Sequence, residues 1–186
     1  MNHIFIGGTS GSGKSTLAKR VEREFGIHHE DLDDFREEMK KFPEVEYWIS
    51  FFWNKDPKEY WANALPEKQW SHVVQQSEAF WPHYLKLIES FDKQNKRCVF
   101  ESVNLLPHLA KDLPFKGIYL VCDSVEELLP RYLREPRWSH DPEIIKREVE
   151  DSVFVEAPRY REEAKKYGFP VFNSMDKALE EIKKMI

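Results

Sequence analysis

Short apolar runs alternate along the chain with longer segments of helical periodicity. The strand-like runs lie at residues 2–7, 96–101, 115–122 and 169–173. Residues 27–34 are short and polar for a strand, but a chain that returns to the sheet here would add one more. Nearly continuous apolar strands separated by helices are typical of a parallel sheet covered on both faces. The pattern therefore predicts an α/β fold.

Glycines, prolines and aspartates indicate where the helices begin and end. The first helix runs to about Phe25 and ends at Gly26, a residue type common just after a helix. A second begins near Asp34, with Asp33 or Asp34 as its N-cap. Further helices are predicted over 67–95 with a kink or break near Pro82, over 125–133, over 142–167 with an interruption near Pro158, and over 175–186.

A glycine-rich loop joins the first strand to the first helix. Residues 8–15 read Gly-Thr-Ser-Gly-Ser-Gly-Lys-Ser and match the phosphate-binding pattern G-x-x-x-x-G-K-S/T. The glycines let consecutive N–H groups point inward, and the helix N-terminus adds partial positive charge. A polyphosphate is the ligand that needs such a cage. Lys14 would reach the β- and γ-phosphates, and Ser15 would give its hydroxyl to Mg²⁺.

Acidic residues follow the polar second strand. Asp33 and Asp34 would stand at its carboxyl end, the edge where ligands bind in open α/β sheets. One of them would cap the next helix, while the other would accept the proton of an attacking hydroxyl or hold water on magnesium. Arg36 is placed to contact an anionic acceptor, although a surface salt bridge with a nearby glutamate is an alternative.

A second acid, Glu101, ends the strand-like run 96–101. A carboxylate in this position beside a phosphate loop would hold Mg²⁺, usually through water. The segment 102–108 follows as a loop and short helix that would touch the acceptor, with Asn104 as the candidate contact. The sequence therefore predicts Ser15 and Glu101 on the metal.

An aromatic segment separates these two acids. Residues 42–83 contain five tryptophans and are divided by prolines into short helices. We expect 42–95 to form a helical insert that covers the acceptor. Its aromatic side chains would wall an acceptor pocket or form a small core beneath a loop, and the sequence leaves both readings open.

Three arginines recur at three-residue intervals after the fourth strand. Helical spacing would place Arg131, Arg134 and Arg137 on one face, where one could stack on a base and the others clamp phosphates. The stretch of about 131–142 is predicted to close as a lid that excludes water. At the far end, Asn173 lies at the carboxyl edge of the last strand and would approach an adenine ring.

Composition narrows the partners. The 186-residue chain carries a formal charge of −5, which argues against a whole surface that attracts nucleic acid or anionic membrane. No apolar run approaches the length of a membrane helix, and no signal peptide is evident. We therefore expect one cytoplasmic domain, residues 1–186, with no membrane partner. The oligomeric state is left open.

With these residues in view, the chain resembles the P-loop small-molecule kinase superfamily, in the group of nucleoside monophosphate, shikimate and gluconate kinases. The runs at 7–16, 33–36 and 100–107 are also similar to 2-phosphoglycerate kinases. This resemblance implies a three-layer P-loop NTPase fold with a five-stranded parallel sheet of order 2-3-1-4-5. It further implies transfer of the γ-phosphoryl group of ATP to a small acceptor, with Mg²⁺.

The predicted site residues fall into four groups. Those for nucleotide binding are Gly8, Ser10, Gly11, Ser12, Gly13, Lys14, Ser15, Thr16 and Asn173; those for catalysis are Lys14, Asp33, Arg131, Arg134 and Arg137; those for the acceptor are Asp33, Arg36 and Asn104; those for the metal are Ser15 and Glu101. Two alternatives remain. The chain could be a nucleotide-binding switch without an acceptor, or a kinase of nucleotides or nucleotide-sugars.

Overall fold

Five short strands form the central sheet in the computed structural model, which describes residues 2–63 and 65–186. They are Ile4–Gly7 (β1), His28–Asp31 (β2), Cys98–Glu101 (β3), Lys116–Leu120 (β4) and Val171–Phe172 (β5). All pairs are parallel and the order is β2-β3-β1-β4-β5. The predicted α/β class, parallel sheet and strand order are confirmed.

Ten α-helices and one π-helical turn surround the sheet in the described residues. The helices are Lys14–Phe25 (α1), Arg36–Met39 (α2), Pro43–Ser50 (α3), Pro57–Asn63 (α4), Pro66–Lys93 (α5), Pro107–Ala110 (α6), Val125–Arg134 (α7), Pro142–Asp151 (α8), Ala157–Lys166 (α9) and Met175–Lys183 (α10), with the π-helical turn at Ser152–Glu156. No helix in the described ranges is both long and apolar enough to cross a membrane.

The two faces of the sheet are covered by different helices. Successive residues of a strand point to opposite faces. Ile4 and Ile6 therefore pack with α1 and α10, whereas Phe5 packs with buried residues of α5, α6 and α9. Because both faces are covered, the carboxyl edge of the strands is where polar groups can gather around a ligand.

Three predicted boundaries differ from the structure. The helix after β2 begins at Arg36 and its N-cap is Phe35, so the predicted cap at Asp33 or Asp34 is wrong. Helix α5 continues through Pro82 without a break, since buried side chains on both sides of the proline hold it against the core. The break in 142–167 is the π-helical turn, which directly precedes α9.

The remaining differences concern the ends of strands and helices. All five strands are shorter than the runs that predicted them, and α10 ends at Lys183. The predicted insert, 42–95, contains α3, α4 and the whole of α5, and it includes Ala64, which lies outside the described residues. Sequence patterns mark where apolar side chains lie, whereas strand ends are set by backbone pairing, so disagreement at the ends is expected.

Candidate active site

The phosphate-binding loop occupies the turn between β1 and α1, and its first glycine is required by its surroundings. Gly8 has a φ of +126°, a conformation that side chains strongly disfavour. A Cβ on Gly8 would lie 1.9 Å from the backbone oxygen of Leu120. Gly13 precedes α1 with a φ of +102°. The loop can therefore approach the end of β4 only because glycine stands at position 8.

Lys14 is buried beneath this loop. Its side chain is 5% exposed, and its Nζ donates a hydrogen bond of 2.9 Å to the Thr9 carbonyl oxygen. Burial lowers the pKa of Lys14, although the carboxylates of Glu101 and Asp33 act in the opposite direction. A desolvated cation thus lies against the phosphate-binding loop.

Asp31 and Glu101 form an acid pair beside Lys14. They are register partners on the neighbouring strands β2 and β3. Burial, and then the charge of Glu101, raise the pKa of Asp31 to about 7. For Glu101, the raising effect of burial is outweighed by the neighbouring His29 and by the charge of Lys14, so its pKa is lowered. At neutral pH the negative charge therefore resides mainly on Glu101.

The Glu101 carboxylate also has unused capacity. This side chain is 2% exposed, and its Oε1 has no hydrogen-bond partner within standard geometry, the His29 Nε2 atom lying 3.6 Å away. Buried carboxylate oxygens normally have partners. The acid pair therefore has the charge and the open oxygen expected of a cation ligand.

Asp33 lies two residues beyond β2 and is held by two neighbours. Its Oδ1 accepts hydrogen bonds from Arg36 Nη2 at 2.8 Å and from Ser102 Oγ at 2.5 Å. Arg36 also donates to Asn104 Oδ1, and its guanidinium lies 5.4 Å from the centre of the Phe80 ring. The predicted residues Asp33, Arg36 and Asn104 are thus brought together.

Asn104 is fully enclosed in this network. Its Nδ2 donates to Ser77 Oγ at 2.7 Å and to Gln76 Oε1 at 3.2 Å, and its backbone N–H donates to Ser102 Oγ at 2.9 Å. With its Oδ1 bonded to Arg36, both ends of the amide are already engaged. Its observed contacts hold Arg36 in place.

A cavity of about 470 Å³, here called the large cavity, opens beside this network. Its wall includes Ser10 of the phosphate-binding loop together with Asp33, Arg36 and Asn104. Such a volume is within the range of small-molecule pockets. The loop and the predicted acceptor residues therefore face one common space.

The aromatic segment divides between the main core and the large cavity. Trp48, Trp70 and Trp81 pack partly buried against the main core. Phe52 and Trp53 instead line the large cavity, and Trp53 is 70% exposed. Trp138 and Tyr160, from outside the segment, complete the aromatic wall. One part of the segment is thus structural and another faces the cavity.

The three arginines do not share one helical face, and that prediction is wrong. α7 ends at Arg134, because the residue before Pro136 is restricted to non-helical conformations, so Arg137 lies beyond the helix. Arg131 Nη1 donates to the Gly11 carbonyl oxygen at 3.0 Å. Arg137 lines the large cavity. Arg134 is exposed and lies 3.9 Å from Glu135.

Asn173 follows β5 directly at the carboxyl edge, as predicted. Its Nδ2 donates to Asp123 Oδ2 at 3.0 Å, and Asp123 also accepts hydrogen bonds from Arg161. The side chain is therefore tied to its neighbours, and contact with a base would fall to backbone groups.

Sequence reasoning missed Asp31 and Glu156. Asp31 could have been found by aligning the end of the polar strand with the end of β3, since neighbouring parallel strands reach the same edge. Glu156 lies in the large cavity wall and belongs to the π-helical turn. No local sequence pattern predicts a π-helical turn, so nothing in the sequence indicated that the Glu156 carboxylate would face the cavity.

Comparison with known proteins agrees with this architecture. An AAA domain family model matches residues 4–153. No curated protein sequence is significantly similar. A shikimate kinase from Acinetobacter baumannii, solved in complex with shikimate, has a TM-score of 0.57 at 16% identity, covering 99% of this chain and 92% of its own. An unliganded sugar kinase from Janibacter sp. HTCC2649 has a TM-score of 0.50 at 15% identity, covering 100% and 94%.

At these identities the structural likeness shows the fold alone. The family model spans the phosphate-binding loop, the acid pair and the network around Asp33. The sheet order and the loop at the end of β1 are those expected from the sequence resemblance. The chain therefore belongs to this AAA domain family and has the fold of the P-loop small-molecule kinases.

Proposed function

We propose that this protein transfers the γ-phosphoryl group of ATP to a hydroxyl group of a small acceptor. One observation carries the proposal: Asp33 and the phosphate-binding loop face the same cavity of about 470 Å³. A carboxylate that can receive a hydroxyl proton then lies across a small space from the loop that holds the phosphates. The two similar structures are named as kinases, which agrees with this class of reaction.

The phosphate end of the reaction would be held by the loop and Lys14. Backbone N–H groups of residues 8–16 would surround the β- and γ-phosphates, and the N-terminus of α1 would add partial positive charge. Lys14 would move its Nζ from the Thr9 carbonyl to the phosphates. In phosphoryl transfer such positioning and charge neutralisation supply most of the rate enhancement.

Mg²⁺ fits the residues present. Within 2–63 and 65–186, no group of three or more His, Cys, Asp or Glu side chains is arranged as a complete metal site. Ser15, Asp31 and Glu101 would therefore hold the ion together with water and the nucleotide phosphates, a mode that Mg²⁺ prefers. The open oxygen of Glu101 supports this assignment. When bound, the ion would neutralise charge on the phosphates.

At the acceptor end, Asp33 would act as the base. The acceptor oxygen would form a bond to the γ-phosphorus while the bond from that phosphorus to the β,γ-bridging oxygen breaks, releasing ADP. The hydroxyl proton would pass to Asp33. Ser102 and Arg36 hold the carboxylate in place, since both donate to its Oδ1. Arg36 would also contact an anionic group on the acceptor.

Arg137 and Trp138 would cover the reacting groups. Both line the large cavity and belong to the predicted lid, about 131–142. Closing this segment would exclude water, which otherwise competes with the acceptor for the phosphoryl group. Arg131 already contacts the loop and would turn to the phosphates. A cytoplasmic location accompanies the proposal, because ATP is abundant there.

The test is a screen for acceptor-stimulated ADP release. Purified protein is mixed with ATP, Mg²⁺ and pools of hydroxylated metabolites, and each hit is checked by mass for the added phosphoryl group. A transfer product that disappears in Lys14→Met supports the proposal. If the protein binds ATP but no pool yields a phosphorylated product, the result would favour the alternative hypothesis of a nucleotide-binding switch without an acceptor. Products that are nucleotides or nucleotide-sugars would instead assign that narrower kinase class.

A further inference from the structure

A second cavity of about 150 Å³, here called the small cavity, adjoins the large one. The two share part of their walls, including Ser10, Phe52, Arg137 and Trp138. A ligand that fills the large cavity therefore has a side pocket within reach. The chemistry of that side pocket is unlike that of the rest of the site.

One wall of the small cavity is acidic. Glu148, Asp151 and Glu156 converge on it from α8 and the π-helical turn. The wider π-helical turn brings Glu156 to the side of the helix that carries the other two. Glu148 is 8% exposed, and neither of its carboxylate oxygens has a hydrogen-bond partner; Asp151 Oδ1 also lacks one.

Among the described residues, no cation lies at ion-pair distance from Glu148 or Asp151, whereas the charge of Lys14 partly offsets the effect of burial on Glu156. Lys14 Nζ is bonded to Thr9, and the guanidinium of Arg137 lies 5.9 Å from the centre of the Tyr132 ring. Burial raises the pKa of Glu148 to about 7 and, more strongly, that of Asp151 to about 8. Buried acids without partners are costly to a protein unless something binds them.

Another part of the small cavity wall is aromatic. It contains Phe52, Tyr60, Trp61 and Trp138. The Trp138 ring lies 5.1 Å from Tyr60, 5.4 Å from Phe52 and 6.4 Å from Trp61 between ring centres. Aromatic faces attract organic cations through their negative π-clouds. Aromatic rings and open carboxylates in one cavity are a combination that suits a cation.

We propose that the phosphoryl acceptor carries a primary ammonium group, which binds in the small cavity between the carboxylates of Glu148 and Asp151 and the aromatic rings. This rests on the proposed function and names its substrate class, an amino alcohol. The open carboxylate oxygens need N–H donors, which a primary ammonium supplies and a quaternary one lacks. A bare metal ion would gain nothing from the rings.

The geometry also orders the acceptor. Its hydroxyl would lie near Asp33 in the large cavity while its ammonium lies in the small one. Fixing the molecule at both ends would present one hydroxyl to the loop and leave others unreactive. Neutral alcohols of the same shape would lack the second anchor.

Binding, measured apart from catalysis, tests this assignment. The probes are ω-amino alcohols of about three to six carbons and the neutral alcohols in which a methyl group replaces the ammonium. Tryptophan fluorescence and the rise in melting temperature with ligand report binding, because Trp61 and Trp138 line the cavity. We expect at least one amino alcohol to half-saturate at a concentration about tenfold lower than its neutral partner.

Two variants and one control make the test specific. Glu148→Gln keeps the shape of the side chain and should raise the half-saturating concentration about tenfold. Glu143→Gln, an exposed acid on the same helix, should leave it unchanged. Trp138→Leu, in the loop after α7, serves as the second variant if Glu148→Gln does not fold, and should weaken binding through loss of an aromatic face.

Equal binding of each matched pair, or unchanged binding in a folded Glu148→Gln, would overturn the assignment. The screen for transfer products tests the proposed kinase activity separately from the ammonium site. Phosphoryl transfer to neutral alcohols with no preference for amines would contradict the ammonium site but support the proposed kinase activity. Selective binding of amines, together with a screen that yields no transfer product, would support the ammonium site and contradict the proposed kinase activity.

Discussion

Asp31 and Glu101 stand directly across from each other on adjacent parallel strands, and burial together with the charge of Glu101 raises the pKa of Asp31 to about 7. A divalent cation would remove the repulsion between them. We therefore expect Glu101→Gln and Asp31→Asn to raise the Mg²⁺ concentration needed for half-maximal phosphoryl transfer by about 10- to 100-fold. Titration of activity with Mg²⁺ at fixed ATP measures this.

Glu30→Gln is the matched control for that experiment. Glu30 lies next to Asp31 on β2 but points to the opposite face, where it contacts His28. Its replacement should leave the Mg²⁺ dependence unchanged. Equal effects of all three variants would show that the dependence reflects strand stability and not a metal site.

Lys14 should be indispensable for phosphoryl transfer. Its buried ammonium contacts the phosphate-binding loop through the Thr9 carbonyl oxygen. Lys14→Met keeps the length and apolar stem while removing the charge, and we expect turnover to fall about 10²- to 10³-fold. Lys19→Met, an exposed lysine on the same helix, is the control and should retain activity. Steady-state ADP release by both variants decides the matter.

Asp33 should affect turnover more than nucleotide binding. Asp33→Asn removes the proton acceptor but keeps a side chain that can bond to Arg36 and Ser102. We expect kcat to fall about 10²- to 10⁴-fold, with little change in the Kd for ATP. The exposed neighbour Asp34 provides the control as Asp34→Asn. A large loss of ATP affinity in Asp33→Asn would move Asp33 to the nucleotide and metal.

Gly8 and Gly26 both have positive φ angles but differ in their surroundings. A Cβ on Gly8 would strike the Leu120 carbonyl, whereas a Cβ on Gly26 has no atom within 4 Å. Gly26→Ala should therefore cost about 1–2 kcal/mol of unfolding free energy, the conformational cost alone. Gly8→Ala should cost about 3 kcal/mol or more, because overpacking adds to it. Urea denaturation of both variants measures these costs. Equal losses of unfolding free energy in the two variants would contradict the prediction.

The acidic wall should make the protein less stable as pH rises. Burial raises the pKa of Glu148 to about 7, from an ordinary value near 4.5. The folded state then holds a proton that the unfolded state has released, so this stabilisation is complete below pH 4.5 and is lost as pH rises through about 7.

Glu148→Gln should flatten that part of the profile. The slope it removes is at most about 1.4 kcal/mol for each pH unit crossed. Unfolding free energies measured by urea denaturation between about pH 5 and 8 test this, with Glu143→Gln as the control. A profile that Glu148→Gln leaves unchanged would mean that Glu148 is ionised in the folded protein.

Local chemistry made the nucleotide half of the site predictable. The glycines, Lys14 and Ser15 lie within one short turn, and the apolar run that ends at Glu101 fixes that carboxylate at the sheet edge. Asp33, Arg36 and Asn104 were also found, since their positions follow from strand ends. The fold class needed only the order of apolar runs, because parallel sheets leave few topologies open.

The acceptor half depends on contacts between distant parts of the chain. Trp138 meets Tyr60 and Trp61 only because the loop after α7 packs against α4. The inward turn of Glu156 depends on five residues of π-helix, which no short motif encodes. Tertiary packing, and not local preference, decides which of the many aromatic and acidic side chains face a cavity.

In the structure, Arg131 donates a hydrogen bond to the Gly11 carbonyl oxygen of the phosphate-binding loop. A phosphate oxygen and this carbonyl would compete for the same guanidinium. Under the proposed function, a nucleotide that binds at the loop would therefore exchange one hydrogen bond for another at α7, and part of its binding energy would be offset before any chemistry begins. The empty protein and the loaded one would then differ by a rotation of the Arg131 side chain, which would couple occupancy of the loop to the position of residues 131–142.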